Sequence, residues 1–118
     1  MEYTITVEDG LIRGRAWGRK NDEPPTHMCQ AMFAEAKRLG ITRILVELTQ
    51  KVALSGPSQF RLVVGLTALG ISPEWRIALV HHTPGLYEAS DMVDLAAGNR
   101  GLNVKSFKDV ASALAWLQ

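Results

Sequence analysis

From residue 41 onward the chain alternates short strand-like runs with longer runs of helical period, and that alternation limits the folds open to it. ITRILVEL (41–48) is rich in β-branched residues, EWRIALVHH (74–82) is almost continuously apolar, and LNVKSF (102–107) is a third short run. A strand that is apolar along its whole length is the kind buried on both faces of a sheet. Strands joined through helices run parallel, through right-handed crossovers. The spacing predicts those helices over THMCQAMFAEAKRLG (26–40), PSQFRLVVGLTALG (57–70) and PGLYEASDMVDLAAG (84–98), with a last one in VASALAWLQ behind Asp109 as its cap.

The N-terminal segment reads differently. TITVE (4–8) and LIRGRAWGR (11–19) both alternate, and Asp9-Gly10 between them is a strong hairpin signal. Leu11, Arg13, Arg15 and Trp17 share one face of the second run. Ile12, Gly14, Ala16 and Gly18 share the other, where small residues permit close approach of a helix or neighbouring backbone. NDEPP (21–25) breaks the pattern, and its prolines and acids suit a first helical turn. In the third helix Leu86, Ala89, Val93, Ala96 and Ala97 are expected inward, and Glu88, Asp91 and Asp94 outward. The expected order is ββαβαβαβα: one α/β domain over residues 1–118, with a mixed, mostly parallel sheet packed with helices.

Composition excludes several classes of function. Thirteen basic residues face twelve acidic ones, so nothing electrostatic points to nucleic acid or an anionic membrane. The lone cysteine, Cys29, rules out an intrachain disulfide and suits a reducing compartment. The N-terminus lacks the pattern of a signal peptide, and no apolar run nears the roughly 20 residues that span a bilayer. A soluble, cytoplasmic protein without a transmembrane segment is expected.

RIALV (76–80), a following helix, and GNRGLNVKSFKDVASALAWL (98–117) resemble the C-terminal half of the SpoIIAA-like proteins. These belong to the STAS domains, often described as STAS/SEC14-like. The resemblance extends to the opening hairpin and to LGITRILVEL (39–48). It implies the ββαβαβαβα fold, no cofactor, and a regulatory or ligand-binding role, with apolar-ligand and lipid-binding relatives. It also implies a switch position, because anti-sigma-factor antagonists carry a phosphorylatable serine in an Asp-Ser-Ser/Thr-Gly motif after the central strand. Here the equivalent segment is Leu54-Ser55-Gly56-Pro57-Ser58, which lacks the aspartate and the paired hydroxyls.

Four groups of residues are candidates for function. Ser55, Gly56 and Ser58 form a switch or anion loop, or simply a turn and a helix cap. Phe60, Leu62, Val63 and Leu66 belong to a helix whose only charged residue is Arg61. They form an interface, an apolar pocket wall, or the inner face of a sandwiched helix. Arg13, Arg15 and Trp17 form a polar site or a solvated hairpin face, and pairing with Glu47 would favour the second. His82 ends a strand beside His81, and adjacent strand residues face opposite ways, so the two rings cannot easily share a metal ion. His27 is remote in sequence. No phosphate-loop motif occurs, and Ser55, His81 and Asp91 make a triad only on paper. No catalytic, cofactor or metal residues are therefore assigned. The reading taken first is a non-enzymatic regulatory or protein-interaction domain, binding a partner or a second copy of itself. The second is a carrier for an apolar, lipid-like small molecule, in a pocket between the helices at 57–70 and 84–98 and the sheet. The third is an enzyme using Ser55 or His82.

Overall fold

Asp9 and Gly10 both adopt positive φ, 50° and 73°, the geometry of a two-residue hairpin turn whose twist matches its strands. The hairpin they close opens a computed structural model that describes residues 1–118, the side chains of residues 90 to 92 excepted. Its elements are β1 (Glu2–Glu8), β2 (Leu11–Trp17), α1 (Thr26–Leu39), β3 (Arg43–Thr49), α2 (Gly56–Ala68), β4 (Arg76–His81), a 3₁₀ turn (Glu88–Ser90), α3 (Asp91–Asn99), β5 (Asn103–Phe107) and α4 (Val110–Leu117). This is the expected order, ββαβαβαβα.

The five strands lie in sequence order. β1 pairs antiparallel with β2, and the three remaining pairings are parallel. Each crossover leads to the next strand, so α1, α2 and α3 cover one face, here the front. Ile12, Ile44, Val46, Ile77 and Leu79 from the sheet pack there with Met28, Met32, Phe33, Val63 and Ala97 from the helices. α4 covers the back, where Ala113 and Leu117 pack on Leu45, Ala78 and Val80. Two-sided cover explains why β3 and β4 are so apolar. No helix among the described residues is long and apolar enough to cross a membrane.

Gly14 does what its place on the small-residue face suggested. A Cβ built there would lie 2.6 Å from Met32 Sδ and 2.8 Å from Met32 Cε. Its absence lets α1 settle on β2. Gly14→Val should therefore cost about 1–3 kcal/mol by overpacking. Gly14→Ala should cost less, because the end of Met32 can swing away. Urea denaturation of the two variants checks the order.

Three expectations are corrected. NDEPP is not a first helical turn: α1 begins at Thr26 behind Pro25, with no acidic residue in its first turn. Asp22 instead bonds to the start of α2. The third helix is shorter than 84–98, because Gly85 takes φ 87° and Leu86 N bonds Thr83 O at 3.2 Å, closing a turn before the 3₁₀ segment. Asp94 does not face out; its carboxylate accepts from Ser106 Oγ at 2.9 Å and Ser106 N at 3.2 Å. The outward placement expected for Asp91 concerns a side chain outside the described residues.

Candidate functional site

Ser55 caps α2, its Oγ accepting from Ser58 N at 3.3 Å. Ser55 N donates to Asp22 Oδ1 at 2.8 Å, and the hydroxyls of Ser55 and Ser58 both donate to Asp22 Oδ2. Arg61 donates to Ser58 Oγ. The bonds from Ser55, then that from Ser58, hold the Asp22 carboxyl down at about 2. An aspartate from 33 residues upstream thus occupies this helix start. A phosphate on Ser55 would meet that carboxylate, and Ser58 is wholly buried. Gly56 has no positive φ, so the turn does not depend on glycine there. The geometry is that of a turn and a cap.

Arg13, Arg15 and His82 are brought together on the back of the sheet around Glu47, whose side chain is 7% exposed. Arg13 Nε and Arg15 Nε lie 2.7 and 3.0 Å from Glu47 Oε2, and His82 Nε2 lies 3.0 Å from Oε1. Burial alone would raise the Glu47 pKa. The bonds from Arg13, His82 and Arg15 more than reverse this and hold it at about 2. Arg13 also pairs with Glu8 at 3.1 Å. Arg13 and Arg15 already face protein carboxylates, which favours the solvated-face reading. Trp17 lies further along the same face of β2, partly exposed. His81 faces the front, opposite His82, as strand alternation requires.

Leu62, Val63 and Leu66 are buried in the front core, so of the three alternatives left open for them they take the inner face of the helix and, for Leu62 and Leu66, a pocket wall, and not an interface. α2 is flanked by α1 and α3 and rests on the sheet, so three of its sides are covered. Phe60 alone of the four candidates is exposed, with the Arg100 guanidinium 4.8 Å from its ring centroid.

Leu62 and Leu66 also wall an apolar cavity of about 70 Å³ at the C-terminal ends of β3 and β4. Val46, Leu48, Ile77 and Leu79 form its floor, Cys29 and Phe33 come from α1, and Leu86 and Val93 close the far side. This lies between α2, the 84–98 segment and the sheet, where a pocket was expected. Burial pushes the Cys29 thiol up to about 12. Alkylation of the native protein by iodoacetamide at pH 8 should therefore be more than about 100-fold slower than that of the unfolded chain. Mass spectrometry checks the ratio.

Four polar residues reach this cavity: Arg19, Gln50, Gln59 and His81. Gln59 is fully engaged, donating to Leu54 O and Ala89 O and accepting from Val93 N. Gln50 is as deeply buried, 6% exposed, but only its Oε1 is engaged, by Arg19 N at 2.8 Å. Gln50 Nε2 and His81 Nε2 are buried and have no hydrogen-bond partner among the described residues. Burial lowers the His81 pKa against an opposing pull from Asp94, so its ring is neutral at neutral pH. Sequence reasoning singled out neither Gln50 nor the inward role of His81. Among the described residues no three His, Cys, Asp or Glu side chains cluster as a metal ligand set.

No family model, curated protein or solved structure matches this chain.

Proposed function

We propose that this chain is a non-enzymatic regulatory domain of the STAS/SpoIIAA-like type that acts by binding a small apolar molecule beneath α2. The observation that carries the reading is the apolar cavity at the C-terminal edge of the parallel strands, the end at which open α/β sheets take ligands. The element order ββαβαβαβα is the one the family resemblance implies. α2 forms one wall, so occupancy bears directly on a helix whose outer side carries Phe60 and Val64. Ser55 donates to Asp22 and His82 pairs with Glu47, so the two residues of the enzyme reading are not paired with each other. The Asp91 side chain of the paper triad lies outside the described residues. Native mass spectrometry of protein purified from its own host tests the proposal. A stoichiometric small adduct lost under mild activation is expected. A bare protein that no small apolar compound stabilises against heat would sink it.

A second reading, self-association, rests on Phe60, Val64 and Leu95, large apolar side chains exposed on the packed pair α2 and α3. A dimer in sedimentation that Val64→Asp converts to monomer would support it. A wild-type protein that stays monomeric in the same sedimentation experiment would remove it.

A further inference from the structure

We propose that the cavity takes a short-chain aliphatic carboxylate, its head accepting hydrogen bonds from Gln50 Nε2 and His81 Nε2 and its tail lying among Leu48, Leu62, Leu66 and Leu79. The inference rests on the binding reading above and adds the chemistry of the ligand.

The head group follows from the unpaired nitrogens. A backbone N–H pairs only with the oxygen of an amide, so the bond from Arg19 N fixes which end of Gln50 is which. The NH₂ end is left as a donor, buried beside an apolar cavity. Buried polar groups are nearly always paired, and each exception calls for a reason. Gln59, on the same cavity and equally buried, satisfies both ends within the chain, so the site does not generally leave amides unpaired. His81 lies on β4 opposite Leu48 of β3, and Gln50 follows two residues later on the same face. Both groups therefore sit at one end of the cavity. A neutral imidazole protonated on Nε2 is a second donor, and a carboxylate offers an acceptor to each.

Charge separates a carboxylate from other acceptors. Arg19 reaches the same cavity, and its guanidinium donates to the carbonyls of Asn21 and Val52. Among the described residues it makes no ion pair, and Asp22 acts on it only at a distance. An anionic head complements that charge. An ammonium head would set donor against donor and cation against cation. Size limits the tail. At about 70 Å³ the cavity has room for only a few groups the size of water, each needing roughly 10–15 Å³, so the tail is short.

The test titrates the full chain, ¹⁵N-labelled, with pentanoate, 2-pentanone, pentylamine and n-pentane. Pentanoate is expected to bind best, to shift the Gln50 side-chain amide and His81 ring resonances, and to raise the melting temperature. Gln50→Glu keeps the acceptor for Arg19 N and removes the donor. It should weaken pentanoate by about tenfold or more, the usual effect of losing a hydrogen bond to a charged group, and leave n-pentane binding unchanged. His81→Leu should act in the same direction. If n-pentane binds but pentanoate binds no better than pentylamine, the head-group assignment is overturned and the cavity reading survives. Equal binding of 2-pentanone and pentanoate overturns the carboxylate. If none of the four binds, both the cavity reading and this inference fall.

Discussion

Val63→Asp is expected to abolish folding, while Phe60→Asp, three residues earlier on the same helix, should leave the fold intact. Val63 is wholly buried in the front core, whereas Phe60 is 45% exposed. An aspartate at 63 must either bury an unpaired carboxylate or expel α2 from the sheet. Burying an isolated charge costs several kcal/mol even after relaxation, and the removed valine leaves its share of the core unfilled. A domain of ordinary stability has only about 5–15 kcal/mol in hand. Circular dichroism and thermal melts of the two variants check the contrast. A folded, cooperative Val63→Asp protein would show that α2 does not seal the core. An unfolded Phe60→Asp protein would show that its outer side is a structural surface.

That contrast marks how far periodicity carries. The 57–70 segment is apolar around most of its circumference, and from such a pattern the inward side is ambiguous. Packing between α1 and α3 resolves it, with Leu62, Val63 and Leu66 inward and Phe60 and Val64 outward. The strands were legible because their periods and composition were clear: alternation in β2 placed Arg13, Arg15 and Trp17 on one face, β-branched residues marked β3, and the nearly continuous apolar run of β4 announced cover on both sides. The Asp9-Gly10 turn was legible because few residues accept positive φ in succession. The third helix was overread because Pro84 and Gly85 can start a helix or a turn, and the turn won.

The site was legible in place but not in chemistry. Its apolar wall follows from helix and strand patterns, so a pocket between α2, the 84–98 segment and the sheet could be expected. Its polar end could not. Gln50 and Gln59 look alike in sequence, and only three-dimensional partners show that one is satisfied and the other is not. Asp22 posed the same difficulty. The segment Leu54 to Ser58 lacks a neighbouring aspartate, but folding supplies one from the loop before α1. Contacts across 33 residues carry no local signal.

Glu47→Gln should lower stability by about 2–3 kcal/mol at pH 7, and the deficit should close as the pH falls toward 2. The Glu47 carboxyl lies well below its ordinary value of 4.5, at about 2, because its bonds to Arg13, His82 and Arg15 outweigh the cost of burial. A carboxyl whose folded pKa is depressed stabilises the fold above its unfolded pKa and loses that stabilisation as the pH falls through the folded one. The window here runs from about 4.5 down to about 2. At about 1.36 kcal/mol per pH unit the interval corresponds to about 3 kcal/mol, and solvent around the largely exposed Arg15 reduces it somewhat. Glutamine keeps the shape but loses the charge, leaving Arg13 without its strongest partner on a mostly buried stem. The signature is a stability–pH curve that falls below pH 4.5 in the wild type and is flatter there in the variant, measured by urea denaturation at constant ionic strength. Parallel curves would mean that the Glu47 cluster is an electrostatically neutral decoration of the sheet. Convergence would establish it as the polar keystone that holds β2, β3 and the end of β4 together where α4 leaves the back face uncovered.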